Sequence, residues 1–200
     1  MAVTRKPGGD RGPRGSVRII GGRWRGTRLP VADSPGLRPT SDRVRETLFN
    51  WLGPMLPGAR ALDLFAGSGA LGLEAVSRGA REALLVERDE RLAGALDQAV
   101  AKLGAGDQVR VVRADALAFL AAPLHGRFDV VFLDPPFAAE SWERVLGSLG
   151  PWLADDAWLY VESPAGAPVQ AGPDWRLHRA GATRDARYAL HRRRPRGRSG

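Results

Sequence analysis

From Ala59 onward, the chain alternates short apolar runs with longer amphipathic stretches. Strand-like runs fall at 60–65, 83–87, 108–113, 128–133 and 157–162, and helical periodicity falls near 70–79, 89–103, 115–122 and 140–152. This alternation is typical of a mostly parallel β-sheet covered by helices on both faces. It predicts a doubly wound α/β fold, in which ligands bind where the carboxyl ends of the strands meet.

The segments outside this alternation have a different character. The beginning of the chain is rich in Gly, Pro and Arg, and it is followed by two short runs around Gly-containing turns and by a helical pattern capped by Thr40 or Ser41. Two alternating runs near the end, 174–180 and 186–191, predict an antiparallel hairpin. The predicted divisions are a disordered basic tail (1–16), an N-terminal hairpin and helix (17–53), the main domain (54–191) and a basic C-terminal tail (192–200).

Composition excludes several classes of protein. Two hundred residues suit one domain with an appendage, and 44% hydrophobic residues are enough for a core. The chain has no cysteine, which excludes disulfides and thiolate metal sites, and its three histidines are scattered, so we expect no bound metal. No run is long and apolar enough for a signal segment or a membrane span, so we expect a cytoplasmic monomer.

The net charge of +8 is distributed unevenly. Residues 1–45 contain 11 Lys and Arg against 3 Asp and Glu, whereas residues 46–191 contain 14 against 19. Residues 192–200 add five arginines and no acid. A mildly acidic body with basic ends indicates a polyanionic partner, and nucleic acid is the partner that this pattern favours.

A glycine-rich segment follows the first strand of the alternation. Gly67, Gly69 and Gly72 fit the spacing G-x-G-x-x-G between a strand and a helix. Glycine allows a tight turn and a close approach of the backbone to a ligand. The motif alone is a weak signal, because a dinucleotide site would use the same spacing.

Acidic residues stand at the ends of four predicted strands. Asp63, Glu87, Asp115 and Asp134 end or follow the first four strand-like runs, so they should gather at one edge of the sheet. Glu87 suits hydrogen bonds to ribose hydroxyls, Asp115 with the Ala116 amide suits an adenine ring, and Asp63 suits a ligand ammonium. A ligand with adenine, ribose and an amino-acid tail is S-adenosylmethionine.

Residues 134–137 read Asp134-Pro135-Pro136-Phe137 and directly follow an apolar strand. A carboxylate and a backbone carbonyl can accept the two N–H bonds of a planar exocyclic amine and turn its lone pair out of the ring plane. The prolines stiffen the loop, and the aromatic ring can stack on a base. An ordinary turn at the end of a strand is the alternative interpretation.

Four stretches resemble the RsmD family of class I, S-adenosylmethionine-dependent 16S rRNA (guanine-N2)-methyltransferases. They are RIIGGRWRG (18–26), GLRPTSDRVRETLFNWL (36–52), LDLFAGSGALGLEAVSRGA (62–80) and FDVVFLDPPF (128–137). The resemblance implies a Rossmann-like, seven-stranded sheet with an N-terminal hairpin extension that helps to hold RNA. It also implies a 16S rRNA substrate, in an assembling small ribosomal subunit.

The resemblance assigns roles to further residues. The cofactor site is expected to include Phe65, Ala66, Ser68, Arg88, Arg38 and Thr40, beside the acids and glycines above. The RNA site is expected to include Arg23, Trp24, Arg25, Arg28 and Arg43. Trp24 has an alternative interpretation as an anchor of the hairpin, and Arg43 as a solvated helix residue.

Other functions remain open at this stage. An adenine-N6 methyltransferase would use the same Asp-Pro-Pro-Phe motif, although the chain has no large segment for reading DNA. An RNA-binding assembly factor without catalysis would not need the intact glycines and acids. A methyltransferase for small molecules would not need the basic ends.

Overall fold

The computed structural model describes residues 15–31, 40–122, 125–136 and 142–194. Its centre is a seven-stranded mixed sheet in the order β5-β4-β3-β6-β7-β9-β8, and the first five of these strands are parallel. The strands are β3 (Arg60–Asp63), β4 (Glu82–Glu87), β5 (Val109–Arg113), β6 (Phe128–Leu133), β7 (Leu153–Pro164), β8 (Trp175–Ala182) and β9 (Ala186–Arg193). The predicted seven-stranded, doubly wound α/β sheet is confirmed.

Five helices cover the sheet within the described part of the chain. They are α1 (Asp42–Leu52), α2 (Ala70–Ser77), α3 (Glu90–Lys102), α4 (Ala116–Ala121) and α5 (Trp142–Ser148). Asp89 and Asp115 cap α3 and α4 by accepting from two backbone amides each, and the Ser41 hydroxyl oxygen accepts from Val44 N at the start of α1. None of the helices in the described ranges has the length and apolar character needed to cross a membrane.

The core lies on both faces of the sheet, as the continuous apolar strands predict. On one face, α1, α2 and α3 pack on the strands through residues such as Phe49, Leu73 and Phe132. On the other face, α4 and α5 enclose a second cluster that includes Phe119 and Trp152. Helices α2 to α5 each follow a parallel strand, so each begins beyond the carboxyl end of that strand and runs back along the sheet.

The N-terminal extension forms a two-stranded antiparallel sheet, β1 (Gly15–Arg18) and β2 (Arg28–Val31), as predicted. Val17 packs on Ala70 at the start of α2. The chain between the strands then passes along α2, so that Trp24 N donates to the Ser77 Oγ at the end of that helix. The extension therefore lies against α2 along its whole length.

Several predicted boundaries are wrong by a few residues: the strand predicted at 60–65 ends at Asp63, and the one predicted at 157–162 spans Leu153–Pro164. The predicted helix at 140–152 ends at Ser148 within its described part, because Gly150-Pro151 forms a 3₁₀ turn and β7 begins directly after it. The expected disordered tail stops short of Gly15 and Ser16, which pair in β1. The expected C-terminal tail loses Arg192 and Arg193 to β9, since their backbones pair with β8; residues 1–14 and 195–200 lie outside the described residues.

Candidate active site

The carboxyl ends of the parallel strands bring five acids to one edge. Along the sheet order, the edge carries Asp115 after β5, Glu87 in β4, Asp63 in β3, Asp134 after β6 and Glu162 in β7. The chain leaves β3 toward β4 and β5 and returns on the other side as β6. The crevice at this switch in direction, between β3 and β6, is where open α/β sheets bind ligands.

The glycine loop is shaped by contacts that exclude other residues. Gly67 and Gly69 have φ angles of 53° and 75°, in the left-handed region that favours glycine. A Cβ at Gly72 would lie 2.1 Å from Leu85 Cδ2 on β4. The spacing therefore serves a tight turn and close packing of helix on strand, as predicted, and it leaves the loop backbone near the ends of β3 and β4.

Asp63 lies beneath this loop with an incompletely paired carboxyl group. Its Oδ2 accepts from Gly72 N at 3.1 Å, whereas its buried Oδ1 has no hydrogen-bond partner among the described residues. Burial raises the pKa of Asp63 to about 7, and the charge of Glu87 adds to this, while the hydrogen bond from the Gly72 amide lowers it. A buried acid of this kind is suited to a cationic ligand group, which would restore its charge.

Glu87 is held in place by two backbone amides. Its Oε2 accepts from Gly67 N at 2.9 Å, and its Oε1 accepts from Asp89 N at 2.8 Å. Each carboxylate oxygen has a second lone pair, so the group can accept further bonds from a diol. The same contacts tie the glycine loop to β4, which sequence reasoning did not anticipate.

The other described residues expected at the cofactor site follow β3, β4 and β5 along the chain. Asp115 is exposed and caps α4 through its Oδ1, which accepts from Leu117 N and Ala118 N at 2.9 and 3.2 Å. Ala116 is buried in the first turn, and Arg88 is exposed next to Glu87. Phe65 and Ser68 are half-buried in the glycine loop, and Ala66 is buried. Arg38 lies outside the described residues.

Asp134 is part of a polar cluster that joins three distant parts of the chain. The Thr40 hydroxyl, just before α1, donates to Asp134 Oδ2 at 2.9 Å and lies 3.4 Å from Glu162 Oε2. The Tyr160 hydroxyl donates to the same Glu162 oxygen at 2.8 Å. Thr40 and Tyr160 are buried, and the two acids are half-buried. The expected cofactor residue Thr40 thus contacts the motif carboxyl directly.

The pKa values of Asp134 and Glu162 are both raised above their ordinary values. Burial raises the pKa of Asp134 well above its usual range, the charges of Glu162 and Asp63 raise it further, and the bond from Thr40 lowers it. Burial also raises the pKa of Glu162, against the hydrogen bonds from Tyr160 and Thr40. Perturbed acids in a crevice are typical of catalytic sites.

Sequence reasoning missed Glu162 and Tyr160. The signal for Glu162 was present, because the fifth strand was predicted to end at residue 162, which is an acid at the same edge as the other four. Tyr160 gave no signal, because a tyrosine in an apolar strand is ordinarily a core residue. Pro135 is buried and Pro136 is exposed beside this cluster, and Phe137 lies outside the described residues.

A buried acid on α2 explains the glycines of the N-terminal extension. Glu74 accepts from Ile20 N and Gly21 N, both at 2.7 Å, and pairs with Arg78 at 2.7 Å and with the buried Arg45 at 3.6 Å. A Cβ at Gly22, whose φ is 76°, would lie 1.8 Å from the Ser77 carbonyl oxygen. These contacts fasten the extension to α2.

The residues expected to bind RNA fall at two places. Arg23, Arg25 and Arg28 are exposed, and Trp24 is half-buried against the core with the Arg23 guanidinium 4.1 Å above its ring centroid. Arg23 also bonds to Gln108, which precedes β5. This loop lies at the end of α2, eight residues and roughly 12 Å from the glycine loop at its start.

Arg43 lies nearer to the acidic cluster. It is exposed in the first turn of α1, three positions after Thr40. The structure thus separates the expected RNA residues into a loop at the amino ends of the strands and one arginine near the carboxyl ends.

The polar groups of the crevice fit S-adenosylmethionine. Asp63 has an orphaned, buried Oδ1 for an ammonium, and the left-handed backbone at Gly67 and Gly69 turns the loop tightly above it. Glu87 offers a fixed carboxylate for ribose hydroxyls at the end of the next strand. These features together match the polar groups of that cofactor.

Comparisons with known proteins agree with this arrangement. A family model described as "Conserved hypothetical protein 95" matches residues 17–192. The chain is 49% identical over 188 residues to Ribosomal RNA small subunit methyltransferase D of Escherichia coli, covering 92% of this chain and 94% of that protein. It is 43% identical over 182 residues to the protein of the same name in Haemophilus influenzae, covering 89% and 94%.

A solved structure is also similar to this chain. The Escherichia coli protein yhhF superposes with a TM-score of 0.80 at 49% identity, covering 91% of this chain and all of that chain, so the class I methyltransferase fold is confirmed. Because the family model and the relatives match nearly the whole chain, the protein belongs to the Conserved hypothetical protein 95 family, which is the RsmD family of methyltransferases.

Proposed function

We propose that this protein transfers a methyl group from S-adenosylmethionine to the exocyclic N2 amine of a guanine in 16S rRNA. The observation that carries the proposal is Asp134, a half-buried carboxyl followed by two prolines, next to the glycine loop at the switch between β3 and β6. The names of the relatives in Escherichia coli and Haemophilus influenzae support small-subunit rRNA as the substrate.

The cofactor, when bound, supplies an electrophilic methyl group. Asp63 holds the ammonium of its amino-acid part, and Glu87 accepts from the ribose hydroxyls. Asp115 and the Ala116 amide recognise the adenine ring, with Phe65, Ala66, Ser68 and Arg88 around them. A cation next to the buried Asp63 favours its charged form, which gives the crevice a preference for a ligand with an ammonium group.

Asp134 and the carbonyl of Pro135 then hold the target amine. An aryl amine is a weak nucleophile, because its lone pair is delocalised into the ring. Two acceptors on its N–H groups orient the lone pair toward the methyl group, and the negative charge of Asp134 stabilises the positive charge that develops on nitrogen. Asp134 must be ionised to do this, so the raised pKa of Asp134 predicts a rate that increases with pH.

The basic surfaces are proposed to hold the RNA around this site. Arg43 near Thr40 is placed to contact a phosphate beside the target nucleotide, and Phe137 is proposed to stack on the flipped base. The extension at 17–53, with Arg23, Arg25 and Arg28, would bind a more distant part of the RNA, in an assembling small ribosomal subunit.

The experiment is single-turnover transfer of a labelled methyl group, with the product nucleoside identified by mass spectrometry. Naked 16S rRNA and partly assembled small subunits are compared as substrates. We expect N2-methylguanosine, and we expect its yield to fall with Asp134→Ala. Recovery of N6-methyladenosine would replace guanine by adenine, since the same motif can present either amine, and absence of label in RNA would reject an rRNA substrate.

A further inference from the structure

The acid cluster around Asp134 contains a second carboxyl group for which the proposed reaction has no use. Glu162 stands at the end of β7, next to β6, and it shares the Thr40 hydroxyl with Asp134. Its Oε2 also accepts from Tyr160, a fully buried residue. Burying an acid beside another acid destabilises the fold, even when two hydroxyls bond to it. That cost points to a functional role for Glu162.

We infer that Glu162 is a positioning residue for Asp134: through the Thr40 hydroxyl it controls the ionisation of Asp134 and receives the proton that Asp134 takes from the target amine. The inference rests on the proposed function, because it concerns a proton that leaves a methylated amine. It goes beyond that function in giving the proton a path away from the motif.

The reaction itself creates the need for such a path. As the nitrogen–carbon bond forms, the carbon–sulfur bond breaks and its electron pair stays on sulfur, so the positive charge passes to nitrogen. The charge is removed when an N–H bond breaks, with its electron pair returning to nitrogen and its proton going to the Asp134 carboxylate. Asp134 is then neutral, and it must lose this proton before another cycle.

The Thr40 hydroxyl is suited to carry the proton onward. A threonine hydroxyl has one proton and two lone pairs, so it can accept from protonated Asp134 while it donates to Glu162. The distances of 2.9 Å to Asp134 Oδ2 and 3.4 Å to Glu162 Oε2 place it between the two acids. Net movement is one proton from Asp134 to Glu162, and the half-buried Glu162 then releases it to solvent, so that both acids are ready for another cycle.

The groups that face Asp134 determine the direction of the effect. They are Thr40 before α1, Asp63 on β3, and Glu162 and Tyr160 on β7, with Tyr188 on β9 next to Tyr160. The charge of Glu162 raises the pKa of Asp134, whereas the bond from Thr40 lowers it. Removing either group should therefore move the ionisation of Asp134, and the two removals should move it in opposite directions.

The test combines a titration with a rate profile. Carbon-13 NMR of side-chain carboxyl groups in the cofactor-free, full-length protein follows the ionisation of Asp134, and methyl transfer over many turnovers is measured across pH. We expect Glu162→Gln to lower the pKa of Asp134 and the pH of half-maximal rate by about 1 unit. We expect Thr40→Val to raise both and to slow transfer at its high-pH plateau by about 10-fold or more.

Two controls separate this role from a structural one. Thr40→Ser keeps the hydroxyl and should restore both the titration and the plateau rate. Glu82→Gln makes the same chemical change at the start of β4, where the acid pairs with Arg60, and should leave the profile unchanged. A uniform loss of rate in Glu162→Gln, with the titration of Asp134 unmoved, would overturn the inference.

The two readouts also distinguish the inference from the proposed function. The titration needs no substrate, so an Asp134 that titrates identically with and without Glu162 rejects the inference even if rRNA is methylated. If the wild-type protein methylates no RNA, the proposed function is rejected. The proton path is then rejected as well, even if the titrations of Asp134 and Glu162 are linked.

Discussion

Glu74 and Asp134 are both carboxyl groups withdrawn from solvent, but their partners differ in sign. Glu74 on α2 accepts from two backbone amides of the extension and lies between Arg45 and Arg78, so its negative charge is matched. The described partners of Asp134 are a hydroxyl and two further acids, Glu162 and Asp63. The first arrangement stabilises a charge, and the second raises the free energy of one.

This difference separates structure from function in the same molecule. A matched buried charge fastens two elements together, and its removal leaves the opposite charges unpaired. Burial and neighbouring acids destabilise the charged form of a carboxyl group. A ligand that brings positive charge or N–H donors stabilises that charged form again. We therefore expect substitutions at Glu74 to change stability and substitutions at Asp134 to change turnover.

The largest effect is expected from Glu74→Ala. The change removes the ion pairs of Glu74 with Arg78 and with the buried Arg45, which keeps its pair with Asp42, and it frees the amides of Ile20 and Gly21. The free energy of unfolding should therefore fall by about 3–5 kcal/mol. Denaturant unfolding measures this. Glu90→Ala, which breaks an exposed pair with Arg113, is the control and should cost about 1 kcal/mol or less. Equal losses in the two variants would contradict the structural role of Glu74.

Asp134→Ala should affect the reaction and leave the fold intact. Loss of one preorganised electrostatic partner predicts a single-turnover rate lower by about 10²–10³-fold, with unchanged cofactor affinity. Asp134→Asn keeps an acceptor without the charge and should fall between wild type and Ala. Unfolding measured beside the rate checks the division, and a large loss of stability with normal methyl transfer would reverse it.

Glu87→Ala should have a smaller effect, and on cofactor binding. The substitution removes the proposed ribose acceptor and the bond from Gly67 N, so the affinity for S-adenosylmethionine should weaken by about 1–3 kcal/mol. Calorimetry gives the affinity directly. Glu87→Gln retains one acceptor oxygen and should lose less, whereas unchanged affinity in both variants would remove Glu87 from the cofactor site.

The smallest effects are expected from the exposed arginines. Replacing Arg23, Arg25 and Arg28 together should reduce the salt dependence of RNA binding by about 0.7–0.9 log units per lost phosphate contact, without changing cofactor affinity. Arg43→Ala, at a site nearer to Asp134, should reduce the salt dependence by the amount that corresponds to about one phosphate contact. If the triple variant keeps the wild-type salt slope while Arg43→Ala does not, the loop at 19–27 serves the fold alone.

Much of the fold follows from local patterns in the sequence. Apolar runs bounded by polar turns predict β4 and β6 almost to the residue, and an acid at the end of each run predicts the row of Asp63, Glu87 and Asp134. These predictions succeed because strand alternation and the common direction of parallel strands are local or topological rules. The acids at the strand ends also indicated the cofactor, whereas the 16S rRNA substrate and several site residues came from the resemblance to a family.

The contacts that the sequence did not predict are those between distant segments of the chain. Thr40 reaches Asp134 across 94 positions and Glu162 across 122, and Glu74 reaches Ile20 across 54. No periodicity encodes such contacts, because they depend on which strands become neighbours. The sequence by itself determined which edge of the sheet carries the acids. The tertiary structure decided which acids share a hydroxyl. Only the pairing of β6 with β7, and the position of Thr40 before α1, bring the two carboxyl groups and that hydroxyl within hydrogen-bonding distance.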